Sequence, residues 1–152
     1  MSLTRQLLYE KIKSLPEEKL EKMLSFACFL EQENETTKII LHVLKASEWN
    51  EQKHLDHYGN HWLASDGFIH CSDVHTIQNV VWMFLNASEP LVILCIDVSK
   101  VQAEIKWENG GSTDYPHIYG LLNTDAVINV LPFLKDESDQ FVLNPELQKY
   151  VD

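Results

Sequence analysis

Apolar residues recur three and four positions apart over the first thirty residues, and two apart or in continuous runs through most of the remainder. Leu3, Leu7, Leu8, Ile12 and Leu15 fall at helical spacing. Ser14-Leu15-Pro16-Glu17 then offers a capping serine, an early proline and an N3-type glutamate for a second helix. That helix carries Leu20, Met23, Leu24, Ala27 and Cys28 on one stripe, while Phe26, Phe29 and Leu30 spread its apolar surface almost all round. Such a helix packs on two sides. Residues 3–30 therefore either dock onto their own chain or form a homo-oligomer contact.

A polar linker over 34–37 separates this helical hairpin, residues 1–33, from the rest of the chain. Residues 38–44 read as a strand, and Ser47 is placed to cap a helix running through Trp49 and Leu55 to about Tyr58. A second strand covers 67–71. Ser72 or Asp73 then caps a helix bearing Ile77, Val80, Val81, Phe84 and Leu85, which stops before the breaker at 86–90. Further strands are expected over 91–98, 103–108 and 126–134, with a Gly-Gly turn at 109–112. Strands interrupted by two helices and later joined by tight turns predict an α+β domain over 38–134, with helices on one side of a curved sheet. Residues 135–152 read as an acidic tail with anchors at Phe141 and Tyr150.

Composition narrows the functional classes. The formal net charge is −11, and Arg5 is the only arginine. Nucleic-acid binding rests on basic side chains that neutralise phosphates, so no RNA or DNA partner is expected. No stretch approaches the ~20 apolar residues that span a bilayer, so no membrane partner is expected either. Cys28, Cys71 and Cys95 lack any paired spacing, which argues against a disulfide framework or zinc knuckle and suits a reducing cytoplasm. Gly-rich phosphate loops are absent.

Seven histidines in 152 residues supply most of the candidate chemistry. His42 sits mid-strand, on the face opposite Leu41 and Val43, where it is either a bonded structural group or a ligand contact. Alternation puts Phe68, His70 and Ser72 on one strand face and Cys71 on the other, so Cys71 reads as a buried inert thiol and not as a nucleophile paired with His70. His117 and Tyr119 share a face of the Pro116-led extended run, forming either a pocket wall or edge-strand packing. Glu108 ends a strand, a usual place for an acid or base and also for a solvated charge. His54, His57 and His61 would share one helix face as a metal site only if Gly59 did not end that helix, so a surface cluster is the expectation and no metal is assigned.

These residues also carry a resemblance. His42 in its strand, Trp49, GFIHCS at 67–72, LVILCID at 91–97, KWE at 106–108, PHIYG at 116–120 and DAVINVLPF at 125–133 resemble a bacterial family of unknown function, number 952 in the domain-of-unknown-function series. The likeness covers about residues 38–134. Members of that family look like the ADP-ribosyltransferase fold, a curved, split β-sheet core whose cleft takes up NAD in related enzymes. The resemblance implies a small nucleotide-like ligand, with NAD as a possible substrate and no certain cofactor. It implies His42 on the NAD ribose, Phe68 or Tyr119 against nicotinamide, Ser72 on a sugar hydroxyl and Glu108 stabilising a cationic sugar, with His70 and His117 lining the same cleft. GFIHCS is also similar to the histidine-serine strand of NAD-dependent RNA phosphotransferases. Those enzymes grip phosphate with arginines that are missing here, so phosphorylated RNA is not the implied substrate. A non-catalytic ligand- or protein-binding module on the same fold is the alternative.

Overall fold

Two antiparallel ladders that meet at a single point organise the part of the chain that holds the candidate residues. The computed structural model describes residues 1–33, 38–108 and 113–151. The linker at 34–37 and the Gly-Gly turn at 109–112 lie outside the described residues. The chain divides into two compact units, residues 1–36 and 37–152.

The first unit is a pair of helices, α1 (Leu3–Ile12) and α2 (Glu17–Glu33). Ser2 caps α1 by accepting the Arg5 amide at 3.3 Å, and Glu17 and Glu18 place negative charge in the first turn of α2, where the helix dipole favours it. Ser14 does not cap α2 as expected. Its hydroxyl bonds back to the Lys11 carbonyl at 3.3 Å, and the Pro16 carbonyl accepts the first bonds of the new helix. No residue of α1 is buried, and Leu3, Leu7, Leu24 and Phe26 are exposed. Among the described residues no helix is long and apolar enough to cross a membrane.

The second unit is built from antiparallel sheets. In chain order it contains β1 (Ile39–Lys45), α3 (Ala46–Gln52), β2 (His57–Tyr58), α4 (Asn60–Asp66), β3 (Ile69–His70), β4 (Leu91–Asp97), β5 (Glu104–Glu108), β6 (Tyr115–Tyr119), β7 (Leu122–Asn123), β8 (Val127–Pro132), β9 (Leu134–Lys135) and β10 (Phe141–Val142). One sheet has the order β1-β4-β8 and another the order β3-β6-β5, with two small ladders, β2-β7 and β9-β10. The long apolar runs of β1 and β4 follow from burial on both faces. Ile40, Leu44, Leu94 and Ile96 pack on one side with Tyr58, Ile69, Ile118 and Leu122. Leu41, Val43, Ile93 and Cys95 pack on the other with Val74, Ile77, Leu131 and Leu147.

Residues expected as an acidic tail supply part of that second side. Phe141 packs against it, Leu147 is fully buried, and Asn144 caps a closing 3-10 helix (Pro145–Tyr150) by accepting the Glu146 amide at 3.0 Å. The helix expected over 73–85 is instead two short 3-10 turns, Ile77–Asn79 and Val81–Met83. Asp73 accepts the His75 and Thr76 amides at 2.9 Å each, which starts a tight turn, and successive i to i+3 bonds then run from Thr76 to Phe84 in place of a full helix. The helix expected to reach Tyr58 ends at Gln52, because Tyr58 is drawn into β2 opposite Leu122. Lys45, and not Ser47, precedes it.

Candidate ligand cleft

Leu41 on β1 exchanges both backbone bonds with Ser72, just beyond β3, at 2.6 and 2.8 Å. Continued antiparallel pairing would make Val43 and His70 the next rung. That rung is missing. Nδ1 of His42 instead donates to the His70 carbonyl at 2.6 Å, so a side chain from the sheet face takes the acceptor a backbone amide would have used. β3 is thereby pulled out of the β1 plane towards the side bearing Ile40, His42 and Leu44, which is where Ile69 and Cys71 pack. The two sheets fork. The Val43 amide and carbonyl, directed away from β4 by the same two-residue repeat as Leu41, face the opening, with no hydrogen-bond partner for either among the described residues.

The fork opens into a cleft of about 450 Å³. Its walls come from Leu41, His42 and Val43 on β1, from Phe68, His70, Cys71 and Ser72 around β3, from Trp62 and Asp66 on α4, from Val80, Met83 and Phe84, and from Tyr115 and His117 on β6. Five of the seven expected site residues, His42, Phe68, His70, Ser72 and His117, therefore share one cavity. Tyr119 and Glu108 do not line it. They stand behind His117: its Nδ1 lies 3.2 Å from Glu108 Oε1, and the Tyr119 hydroxyl donates to the same oxygen. The Tyr119 bond, and secondarily the His117 bond, hold the Glu108 carboxyl below its usual range, and the same contact pushes the Tyr119 phenol up.

His42 is 1% exposed and both its ring nitrogens are engaged. A carbonyl only accepts, so Nδ1 carries the proton, and Nε2 must accept from the Tyr58 hydroxyl at 3.0 Å. Trp62 donates its indole N–H to that hydroxyl oxygen at 2.9 Å. Tyr58 also lies 3.2 Å from Glu48, but its single proton goes to His42, whose Nε2 has no other donor, whereas Glu48 is also contacted by His61 at 2.8 Å. Burial lowers the His42 pKa from 6.5 to about 4, outweighing the His70 carbonyl that favours the charged form. The imidazole is a neutral structural wedge at the apex of the fork.

His70 differs in every respect. Its side chain is 45% exposed, and Nε2 lies 2.8 Å from Asp66 Oδ2. A carboxylate accepts only, so Nε2 carries the proton and the lone pair resides on Nδ1, which has no partner among the described residues. His117, 7% exposed, is a wall: Phe68 stacks on it at 4.1 Å with the planes 21° apart. Cys71 is buried, and burial pushes its thiol pKa up, so it lines the cleft as an inert group. His54, His57 and His61 do not share a helix, since His57 lies in β2 and Gly59 begins α4 instead of ending an earlier helix. No group of three or more His, Cys, Asp or Glu residues among the described residues is arranged to hold a metal.

Sequence reasoning missed Asp66, Trp62, Tyr58 and the Val43 backbone. The one sequence signal for Asp66 is the glycine that follows it. Gly67 adopts φ +82°, which turns the chain back after α4 and brings the i and i+4 side chains of Asp66 and His70 together.

A forked, antiparallel sheet system around a cleft of aromatic and imidazole side chains defines a small domain of mixed α and β structure. The chain belongs to the family described as "Protein of unknown function (DUF952)", whose model matches residues 43–130. It is similar to the crystal structure of protein CC0527 from Caulobacter crescentus, with 25% identity and a TM-score of 0.64 over 72% of this chain and 98% of that one. The solution NMR structure of CC0527 aligns with a TM-score of 0.57 over 67% of this chain and 90% of that one. Among curated proteins none matches.

Proposed function

We propose that the second unit is an ADP-ribosyltransferase-like domain whose cleft binds NAD or a related nucleotide and acts at its ribosyl bond. The observation that carries this reading is the fork itself. It leaves the Val43 amide and carbonyl without a hydrogen-bond partner among the described residues, in the same cleft as the flat surface of Phe68 over His117. A planar ring bearing a carboxamide satisfies both features at once, laying its face on an aromatic wall while its amide completes the missing rung. The volume of about 450 Å³ suits a nucleoside-sized group, which falls within the range usual for small-ligand sites.

Phosphates fit less closely. Lys106 lies over the Tyr119 ring at 4.6 Å, Lys38 over Trp107 at 4.2 Å, and Lys45 lies 3.9 Å from Glu89, so none of the three lines the cleft. In this reading the pyrophosphate extends towards solvent and the ring end supplies the affinity. Glu108 serves by fixing His117 and Tyr119 and not by touching the sugar.

A second reading, a binding module without chemistry, is favoured by that same withdrawal of Glu108. Calorimetry with NAD, followed by an assay of nicotinamide release, separates the two. Saturable binding with release is the expected result. Binding without release leaves the binding module, and no binding at millimolar NAD removes the nucleotide reading altogether.

A further inference from the structure

We infer that Asp66 and His70 form a general-base pair that delivers water to the ribosyl carbon, so that the cleft hydrolyses its substrate and needs no macromolecular acceptor. The inference rests on the nucleotide reading above. Three imidazoles line the cleft, and their surroundings single out one as a base. His42 has no free nitrogen. His117 is stacked beneath Phe68 and tied to Glu108. Only His70 combines solvent access, a carboxylate on one nitrogen at 2.8 Å and an uncommitted lone pair on the other. A carboxylate held against one imidazole nitrogen fixes the tautomer and steadies the imidazolium that forms when the other nitrogen takes a proton.

His70 is also held in place from three sides. Phe68 lies 4.6 Å from it, His117 5.4 Å and Trp62 5.5 Å, ring centre to ring centre. Its backbone carbonyl is clamped by His42. A base so oriented contributes through positioning as well as basicity.

The step balances with water as the only co-reactant. The water oxygen forms a bond to the ribosyl C1′, and the C1′–N bond breaks with its electron pair returning to the pyridine nitrogen. Nicotinamide therefore leaves neutral, needing no acid, and the proton from water passes to His70 Nδ1. The step uses one imidazole, and His117, whose side chain is only 7% exposed beneath Phe68, serves as wall.

The test compares His70→Ala and Asp66→Asn with the unsubstituted chain, measuring NAD affinity, nicotinamide release and the effect of added azide. Azide is a nucleophile that needs no deprotonation. Expected are NAD binding retained within a few-fold in both variants, release reduced about 10²-fold in His70→Ala and less in Asp66→Asn, and recovery with azide as the ribosyl azide. Unaltered release in His70→Ala, or a loss that azide does not restore, overturns the inference while leaving the nucleotide reading intact. Wild-type binding without release overturns the inference together with the ribosyl chemistry and leaves the binding module. Absent wild-type binding removes both.

Discussion

The two ends of the cleft hold the same side chain in opposite states. At the apex, His42 is sealed among Tyr58, Trp62 and the His70 carbonyl, and burial keeps it neutral. At the mouth, His70 stands half in solvent with a carboxylate on one nitrogen and, among the described residues, no partner on the other. One hydrogen bond, from the His42 ring to the His70 backbone, links them. A histidine whose nitrogens are both bonded to the protein shapes a site. A histidine with one nitrogen bonded and one free is equipped to act in it. The comparison therefore assigns architecture to one residue and chemistry to the other, although both lie in the same apolar, strand-borne context.

The sharpest way to break this comparison is to remove each ring in turn and measure stability. His42→Ala leaves the His70 carbonyl without its donor, frees the Tyr58 hydroxyl and opens a cavity in the core, with an expected loss of roughly 2–4 kcal/mol in urea unfolding. His70→Ala removes a part-exposed ring and a hydrogen bond to Asp66 that solvent screens, so its cost should stay below about 1 kcal/mol. Equal losses would show that both residues serve structure. A larger loss at His70 would invert the assignment.

Acid sharpens the same contrast. The folded pKa of His42 lies near 4 and its unfolded value near 6.5, so between these the unfolded chain binds a proton that the folded chain refuses. Stability from this group is complete above about pH 6.5 and is lost as pH falls towards 4, amounting to roughly 3 kcal/mol over the full window. Glu108, also depressed, loses its own contribution in the same direction. Comparing the wild type with His42→Gln removes such shared terms. The stability gap between the two proteins should narrow steadily from pH 7 to pH 4, and a gap that stays constant would mean that His42 is not held neutral.

Much of the cleft was legible from period-two alternation, because Phe68, His70 and Ser72 on one strand face and His42 on another depend only on local spacing. Alternation also set Cys71 on the opposite strand face from His70, yet both line the cleft. What it does not carry is register between distant segments. That His42 substitutes for the Val43–His70 rung depends on how residues 41 and 72 align, and no local pattern encodes it. Asp66 escapes a reading by spacing because its contact with His70 runs through the backbone turn at Gly67 and not along a helix. Residues 77–84 read as a helix because apolar spacings of three and four suit successive 3-10 turns as well as an α-helix. The acidic C-terminal segment looks detached in sequence because only a few anchors, Phe141 and Leu147 among them, carry its packing between charged neighbours.

The two glycines that bound α4 give the smallest and most local version of the comparison. Gly59, at φ +112°, lies on the buried side, where an added Cβ would come within 2.5 Å of Ile69 Cδ1. Gly67, at φ +82°, lies on the open side and an added Cβ would meet nothing within 4 Å. Alanine at Gly67 therefore incurs only the backbone strain of a positive φ, about 1 kcal/mol, and asparagine, which tolerates that conformation better, should cost less. Alanine at Gly59 bears the strain and must also displace a fully buried isoleucine, so thermal melts should rank Gly59→Ala below Gly67→Ala and Gly67→Ala below Gly67→Asn. The reverse order between the two alanines would mean that the mouth of the cleft is as tightly packed as its apex, and His70 would then lose the freedom that sets it apart from His42.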